Sequence, residues 1–358
     1  MNKLVGAIKV VARHSPWLYQ RLARLYPYAT AVVGLIHGRR GSLEHLKSTW
    51  SLLFKTSRIF GRPINITIEP TNLCNLRCPV CETGANELGR VGGNMSFADF
   101  KLIIDKVALH TNTLLFYFMG EPFLNTHAYE MIRYAKDSGV PFITSCTNGD
   151  VVNPEKLVAC GLDEISFQIG GMTQETHEIY RVNSRLARVL KNLEETLRLR
   201  REKGISMRVV CGFILMRHNE HEVEIFKRRM ALLGVDEAIV VDPCVRTVEQ
   251  GIAYLPHEQT RWIYDPVAFA QGRLNPKYLP DNNCSWIYYS LTIQVNGDVV
   301  PCCRDPKGDE VMGNLLIQNL DEVWNGTHYR NFRDRINNDQ GHVDICRLCS
   351  SYPASKVA

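Results

Sequence analysis

Three closely spaced cysteines constrain this chain more than any other feature of its sequence. Cys74, Cys78 and Cys81 form a C-x3-C-x2-C run, and the preceding stretch 64–69 alternates apolar and polar residues like a short strand. Three thiolates on one tight loop at the end of a strand can hold three irons of a cubane cluster, which leaves the fourth iron open to an outside ligand. Zinc with ligands from elsewhere and ordinary buried thiols are the alternatives. No histidine lies nearby, which makes the spacing unusual for zinc.

Composition limits the class of protein and its compartment. The chain has 358 residues, of which 45% are hydrophobic and 22% charged, as in globular proteins with one large domain and an addition. Twelve cysteines without a signal peptide favour a reducing compartment and metal or redox chemistry over a disulfide framework. Lys9 and Arg13 interrupt the apolar start, and the run 29–36 is far shorter than the roughly 20 residues of a membrane span. We expect a cytoplasmic protein.

From residue 64 the chain alternates strand-like and helix-like segments, a pattern typical of a parallel sheet. The strands are predicted at 64–69, 113–119, 140–147, 164–170, 206–215 and 237–242. The clearest helices are predicted at 98–109, 126–138, 186–203 and 220–233, and glycines stand where they should end, at Gly139, Gly161, Gly204 and Gly234. Six units are too few for a complete eight-stranded barrel. The predicted organisation is an α/β fold with a helical segment at 1–62, a barrel-like unit at 63–243, a connector at 244–283 and a cysteine-rich extension at 284–358.

The cysteine run and its position after a strand resemble the signature of the radical S-adenosylmethionine (SAM) superfamily, whose open, partial (β/α)6 TIM-like barrel has six units. The resemblance implies a [4Fe–4S] cluster on Cys74, Cys78 and Cys81 that binds SAM through its amino and carboxylate groups. One electron then cleaves SAM to a 5′-deoxyadenosyl radical, which takes a hydrogen atom from a substrate. The residue before the last cysteine is often aromatic in the family, whereas this chain has Val80.

Other strand ends resemble the SAM-binding segments of the same family. Because the carboxyl ends of parallel strands gather at one edge of the sheet, these residues are expected to lie together. Each segment also has a plainer interpretation, since G-E-P and Asn-Gly are common turns and an arginine is often a surface residue. Gln168 stands where the family commonly has an aspartate. The residues implied to contact SAM are Gly120, Glu121, Pro122, Asn148, Ser166, Gln168, Arg181, Leu215 and Met216.

A second cysteine set follows the predicted barrel. On spacing alone, cysteines around an Asn-Gly hairpin and a terminal C-x2-C favour a zinc ribbon-like site. The run from Cys284 through Gly297 to Cys302 resembles the SPASM extension in its shorter "twitch" form, with predicted strands at 285–294 and 298–302 and a helix at 320–337. The resemblance implies one auxiliary [4Fe–4S] cluster on Cys284, Cys302, Cys346 and Cys349, with Cys302 favoured over the adjacent Cys303.

The expected reaction is the oxidation of a sugar, cyclitol or lipid-linked substrate, because an auxiliary cluster suits one-electron oxidation of a carbon radical. Epimerisation is the alternative, with Cys244 or Cys146 returning a hydrogen atom, and a different lipid- or peptide-modifying reaction also stays open. In the oxidation, Arg246 or a nearby tyrosine is the candidate base, although an arginine gives up its proton reluctantly. A scaffold carrying zinc or a cluster is the non-enzyme alternative. It is disfavoured because the strand-end residues form a ligand site that no scaffold needs.

The first 62 residues carry a strong positive charge. They contain eleven Lys and Arg against the single acid Glu44, for a net charge of +10, and residues 42–60 repeat apolar side chains at helical spacing. A helical cap on the main domain and a layer on an anionic membrane, with Trp17, Tyr19, Tyr26 and Tyr28 near the interface, are the two interpretations. We expect a reducing partner such as flavodoxin or ferredoxin, and no nucleic acid.

Overall fold

One nine-stranded sheet forms the centre of the molecule. A computed structural model describes residues 28–36 and 41–349, and the strands within them run in the order β6-β5-β4-β3-β2-β1-β7-β8-β9. Every pair from β6 to β7 is parallel, whereas β7–β8 and β8–β9 are antiparallel. The strands are β1 (Asn65–Ile68), β2 (Thr113–Leu115), β3 (Phe142–Thr147), β4 (Glu164–Ile169), β5 (Arg208–Ile214), β6 (Glu237–Val241), β7 (Ser290–Ile293), β8 (Asp298–Val300) and β9 (Gly313–Asn314).

Helices connect the parallel strands and close over the sheet. Their bounds are α1 (28–36), α2 (Ser42–Leu53), α3 (Phe97–Val107), α4 (Ala128–Asp137), α5 (Pro154–Ala159), α6 (Gln174–Tyr180), α7 (Leu186–Glu202), α8 (Val223–Leu233), α9 (Val248–Tyr254), α10 (Pro266–Ala270), α11 (Trp286–Tyr289), α12 (Leu320–Trp324) and α13 (Thr327–Asp339). The main core lies between these helices and the strands, with Phe100, Phe116 and Phe167 fully buried.

The six predicted βα units are confirmed as a partial-barrel α/β fold, and each strand lies within its predicted range. Alternating burial on β3 and β4 follows the period of two expected of a strand with one face packed against helices. The four glycines predicted at helix ends all have positive φ, between 63° and 92°. Glycine adopts this conformation at little cost, so these residues end the helices where the sequence predicted.

Two predictions in the extension were wrong. Residues 286–289 form the short helix α11 before β7, although a strand was predicted across 285–294. The predicted helix 320–337 is two helices, α12 and α13, because the chain turns at Asn325–Gly326. The Asn319 side chain and Glu322 cap the first of these helices reciprocally, which fixes its start.

The extension and the connector both pack on the barrel. Strand β7 pairs directly with β1, so the extension continues the same sheet. The connector residues Val245, Trp262 and Tyr264 form a second buried cluster with Leu76 and Val80 of the cysteine loop. The connector therefore covers the cysteine loop. Among the described residues, no helix is both long and apolar enough to cross a membrane.

Candidate functional site

The Cys74–Cys81 loop begins six residues after the end of β1 and folds on itself. The amide of Leu76 donates to Cys74 Sγ at 3.4 Å, and the amide of Cys81 donates to the Cys78 carbonyl at 3.2 Å. Gly84 lies so close to this turn that a Cβ at that position would be 2.4 Å from the Cys78 carbonyl oxygen. The loop is thus a tight turn backed by the following segment.

Cys74 and Cys78 are buried beside other side chains that are negatively charged when ionised. Burial raises the pKa of Cys74 to about 11, and the charges of Glu121, Cys78 and Cys81 act in the same direction. Burial also raises the pKa of Cys78, although the charge of Arg181 opposes it. A bound metal cation stabilises the thiolate form of its cysteine ligands, so the raised pKa values of Cys74 and Cys78 do not oppose their binding of iron. The loop therefore fits an iron cluster, and we propose Cys74, Cys78 and Cys81 as its ligands.

The segment after β2 packs directly against the approach to this loop. Gly120 has φ 78°, and a Cβ there would lie 2.6 Å from the Leu73 carbonyl oxygen, so the position requires glycine. The amide of Glu121 donates to that same carbonyl at 2.8 Å, and Pro122 begins a single 3-10 turn. The glycine thus brings the G-E-P segment against the residues that precede Cys74.

Glu121 also ties the end of β2 to the end of β3. Its buried carboxylate accepts hydrogen bonds from Thr147 Oγ1 at 2.9 Å and from the Asn148 amide at 2.7 Å. The Asn148 side chain in turn donates to Asn75 Oδ1 at 2.8 Å and lies 4.0 Å from Cys74 Sγ. Burial raises the pKa of Glu121 to about 7, against the opposing hydrogen bonds. Its predicted contact with a SAM ammonium stays a prediction, and so does that of Asn148.

Ser166 and Gln168 point the same way from β4. The Gln168 side chain donates to Ser166 Oγ at 2.8 Å and lies over Gly212 of β5, where a Cβ would be 2.6 Å from Gln168 Oε1. Leu215 and Met216 follow β5 and are buried, and Met216 packs in the cluster that contains Cys78. These four residues stay candidates for SAM contacts.

Arg181 ends α6 beside the cysteine loop. Its Nη1 lies 3.9 Å from Cys78 Sγ, whereas its Nε is buried without a hydrogen-bond partner. A buried guanidinium N–H that lacks an acceptor suits an anionic ligand such as the SAM carboxylate. The helix end itself is held by His177, whose Nε2 pairs with Ser184 Oγ at 2.9 Å, and Ser184 donates to Asp150.

The second cysteine set also comes together. Burial is the main cause that raises the pKa of the Cys284, Cys302 and Cys346 thiols, and the charge of Cys284 raises the pKa of the other two further. The Cys349 amide donates to the Cys346 carbonyl at 2.9 Å. Cys303 is exposed, whereas the Arg304 amide donates to Cys302 Sγ at 3.4 Å. We propose Cys284, Cys302, Cys346 and Cys349 as the auxiliary ligands.

Neither cysteine set forms a preassembled site for one ion. In the ranges 28–36 and 41–349, no three His, Cys, Asp or Glu side chains are grouped closely enough to hold a single metal ion. A cubane cluster places each thiolate on a separate iron, so its ligands stand further apart than those of one ion.

A chain of polar side chains links the two sets, and we name it the arginine–cysteine bridge (Glu82, Arg246, Cys244, Arg304). Glu82, the residue after Cys81, accepts from Arg246 Nε at 2.8 Å. Arg246 Nη1 lies 2.9 Å and Arg304 Nη1 3.1 Å from Cys244 Sγ. Arg304 is two residues from Cys302, so the bridge runs from one set to the other.

The bridge changes the chemistry of Cys244. Burial raises the pKa of its thiol, but the charges of Arg304 and Arg246 outweigh burial and hold the pKa below its ordinary value. Tyr264 donates to the Cys244 sulfur at 3.5 Å. By contrast, burial raises the pKa of Cys146 on β3 to about 12. The Cys244 thiol therefore ionises more readily than an ordinary cysteine, whereas the Cys146 thiol ionises less readily.

Sequence reasoning missed Glu82, Tyr264 and Arg304. Arg304 directly follows the Cys302–Cys303 pair and Glu82 directly follows Cys81, so their positions beside the cysteines were the available signal. Tyr264 lies in the weakly patterned connector and had no such signal.

Comparisons with known proteins agree with the two cysteine sets. The model of the radical SAM superfamily matches residues 68–229, and that of the SPASM iron–sulfur cluster-binding domain matches residues 284–350. The AdoMet-dependent heme synthase of Methanosarcina barkeri is 34% identical over 122 residues, which are 33% of this chain and 34% of that protein. A probable GTP 3′,8-cyclase of Saccharolobus islandicus is 28% identical over 57% of this chain and 65% of its own length. The chain thus spans between about a third and two thirds of these curated relatives.

A solved structure shows the same fold. Streptococcus suis SuiB bound to S-adenosylmethionine matches with a TM-score of 0.58 and 15% identity, over 86% of this chain and 77% of that one. The two domain matches, the parallel sheet and the clustered cysteines agree with one another. Residues 68–229 therefore form a radical SAM domain and residues 284–350 a SPASM domain, which imply a [4Fe–4S] cluster with SAM and auxiliary iron–sulfur chemistry.

Proposed function

We propose that this radical SAM enzyme oxidises an alcohol carbon of a sugar, cyclitol or lipid-linked substrate to a carbonyl. The observation that carries the proposal is the arginine–cysteine bridge, which places the Cys244 sulfur beside two guanidinium groups between the two cysteine sets. The curated relatives include a heme synthase and a cyclase, so the resemblance supports the shared radical chemistry and leaves the reaction to be argued from this chain's own residues.

Oxidation of an alcohol removes one hydrogen atom from carbon, one proton from oxygen and one electron. SAM supplies the radical that takes the hydrogen atom, and an auxiliary cluster supplies a one-electron acceptor. The chain itself must accept the proton. Cys244 is suited to this step because its sulfur can accept a proton when it is ionised, and the two neighbouring guanidinium groups favour that ionised form.

Arg246 is less suited to be the base. Its contacts with Cys244 and Glu82 raise its pKa further, against the effect of burial, so the guanidinium stays protonated. It acts in our proposal as a positioning residue that favours ionisation of Cys244. A thiol that ionises readily is less suited to return a hydrogen atom to a carbon radical, which supports oxidation over epimerisation at this position.

For epimerisation, Cys146 remains a candidate donor of the hydrogen atom. Cys146 lies on β3 near Cys74 and Glu121, whose charges contribute to its raised pKa, and its protonated thiol has a hydrogen atom to give. The second candidate function is therefore epimerisation through Cys146. Either reaction needs an electron donor, for which we propose a flavodoxin or ferredoxin. Contact with an anionic membrane is a separate proposal based on the N-terminal helices.

The two reactions separate in deuterium oxide. The reconstituted enzyme is incubated with SAM, a chemical reductant and a panel of cyclitols and nucleotide sugars, and substrate-dependent 5′-deoxyadenosine identifies a substrate. Oxidation gives a carbonyl product without deuterium at that carbon, and Cys244→Ala should lower its yield. A product with deuterium at the inverted carbon, lost in Cys146→Ala and kept in Cys244→Ala, would establish epimerisation instead.

A second measurement tests Cys244 without turnover. In the metal-free protein, iodoacetamide should alkylate Cys244 at lower pH than an ordinary thiol, and Arg246→Gln should move that profile to higher pH. Cys303 is exposed and serves as an internal control on a separate peptide. An unchanged Cys244 profile in the variant would refute the role given to Arg246.

A further inference from the structure

Helix α2 turns its apolar side away from the rest of the described residues. Its buried residues are mostly small and polar, namely Ser42, Ser48, Thr49, Ser51 and Leu52. Its large apolar side chains recur at helical spacing on the opposite side and are exposed by 39% to 58%: Leu43, Leu46, Trp50 and Leu53, followed by Phe54. We call these five residues the apolar face. A helix packed only as a cap would bury this side.

Specific contacts fix this orientation. Thr49 Oγ1 lies 3.1 Å from the Tyr289 hydroxyl, and Ser51 Oγ accepts from the Phe60 amide at 3.0 Å. Gly61 approaches α2 so closely that a Cβ there would be 2.2 Å from the Glu44 carbonyl oxygen. Larger side chains do not fit on this inner side, so α2 cannot rotate to bury its apolar face.

The surroundings of the face are also apolar. Trp50 and Phe54 pack with their ring centroids 4.8 Å apart. Exposed apolar side chains also occur on the segments before and after α2 in the chain, with Ile36 of α1 74% exposed and Phe60 60% exposed. Clustered exposed side chains of this size mark an interaction surface, whereas single ones need no explanation.

The charge of this part of the chain identifies the partner. The eleven basic residues of 1–62 stand against one acid, and Lys47 and Lys55 lie on or directly after α2. Lys47 pairs with Glu44 at 2.8 Å and stays 43% exposed, and Lys55 donates to the Asn282 carbonyl at 2.9 Å. A net charge of +10 opposes pairing with the same segment of a second copy, whereas it favours an anionic surface. Aromatic and leucine side chains in a basic segment are the pattern of helices that lie in a lipid interface.

We propose that the apolar face binds the surface of an anionic lipid bilayer. α2 then lies in the interface plane, with Trp50 and Phe54 among the acyl chains and the flanking cations at the headgroups. The proposal rests on this surface alone and holds whether the enzyme oxidises or epimerises its substrate. Trp17, Tyr19 and Tyr26, predicted at the same interface, lie outside the described residues.

The test uses the full chain and vesicles of phosphatidylglycerol with phosphatidylcholine. Trp50→Ser/Leu53→Ser should lower the vesicle partition coefficient by roughly tenfold or more, because two apolar side chains no longer enter the interface. The matched control is Leu232→Ser/Ile317→Ser, which removes two side chains that are 88% and 85% exposed elsewhere. The control should bind like the unchanged protein, and binding should weaken as salt rises.

Each other outcome overturns the proposal. If the protein binds pure phosphatidylcholine vesicles equally well, the anionic charge of the bilayer plays no role. If both double variants lower the partition coefficient equally, the apolar face plays no specific role. Absence of vesicle binding, together with a dimer in sedimentation that Trp50→Ser/Leu53→Ser dissociates, assigns the face to a second copy of the chain. Near-identical circular dichroism of the two double variants controls for folding.

Discussion

Removal of Arg90 should destabilise the protein far more than removal of Arg62, although both arginines hold a carboxylate with two hydrogen bonds. Arg90 donates to both oxygens of Glu69 at 2.7 Å, and Arg62 donates to both oxygens of Asp321 at 3.0 and 2.7 Å. The difference is burial. The side chains of the first pair are 12% and 0% exposed, and those of the second pair 39% and 58%.

Burial sets the expected magnitudes. Arg90→Ala leaves the Glu69 carboxylate buried, with only the amides of Met119 at 3.3 Å and Val295 at 2.9 Å as donors. Removing one partner of a buried ion pair costs about 3–5 kcal/mol. The exposed Arg62–Asp321 pair is screened by solvent, so Arg62→Ala should cost only about 0.2–1 kcal/mol, even though Arg62 also contacts His110.

The assay is urea unfolding of the metal-free protein, with the midpoint compared at constant slope. Hydrogen exchange at the Val295 amide gives a local measure, since Glu69 is its acceptor. The double variant Glu69→Met/Arg90→Met should be more stable than Arg90→Ala, because it leaves no unpaired buried charge. If Arg90→Ala costs no more than Arg62→Ala, or the double variant is the least stable of the three, the reasoning from burial is wrong.

Three further predictions concern iron content, SAM binding and the pH dependence of stability. Two cubane clusters correspond to about eight irons per chain after anaerobic reconstitution, and replacing Cys74, Cys78 and Cys81 with Ala should leave about four. Four irons with one zinc in the unchanged protein would contradict an auxiliary cluster. Arg181→Ala should keep all the iron and weaken SAM binding by roughly 1.5–3 kcal/mol, and an unchanged SAM affinity would contradict its proposed contact with the SAM carboxylate. Burial lowers the pKa of His177 from 6.5 to about 4, so its stabilising effect is complete above pH 6.5 and is lost as the pH falls towards 4. The loss due to His177 should be on the order of 3 kcal/mol in urea unfolding and should be absent from His177→Gln, whereas the loss due to His45, whose pKa burial also lowers to about 4, should remain; an unchanged pH dependence in the variant would refute the role of His177.

Local sequence patterns predicted which segments of the chain surround the candidate site. The C-x3-C-x2-C loop, the G-E-P segment and the Asn148 turn each follow a strand, and parallel strands bring their carboxyl ends to one edge whatever the rest of the chain does. The structure accordingly joins Asn148, Glu121 and Asn75 by hydrogen bonds. Such contacts follow from strand order alone, so sequence order is sufficient to predict them.

Tertiary packing decided what the sequence left open. Residues 286–289 are Trp-Ile-Tyr-Tyr, whose side chains favour a strand, yet they form α11 against α2, with Tyr289 bonded to Thr49. The periodicity of α2 predicted an amphipathic helix but could not say which side faces the protein. The close approach of Gly61 determines which side of α2 is buried, and Gly61 lies outside the helix itself.

The position of β1 explains why the two cysteine sets have a fixed relation. β1 pairs with β2 on one side and with β7 on the other, so the cysteine loop and the extension both start from adjacent strands. Glu69, directly after β1, accepts from Met119 beyond β2 and from Val295 beyond β7, and Arg90 donates to Glu69 and to the Pro306 carbonyl. Two connections thus join the sets: the sheet hydrogen bonds with the buried Arg90–Glu69 ion pair, and the arginine–cysteine bridge. A hinge between them would break both connections, so we expect the two sets to keep their relative position.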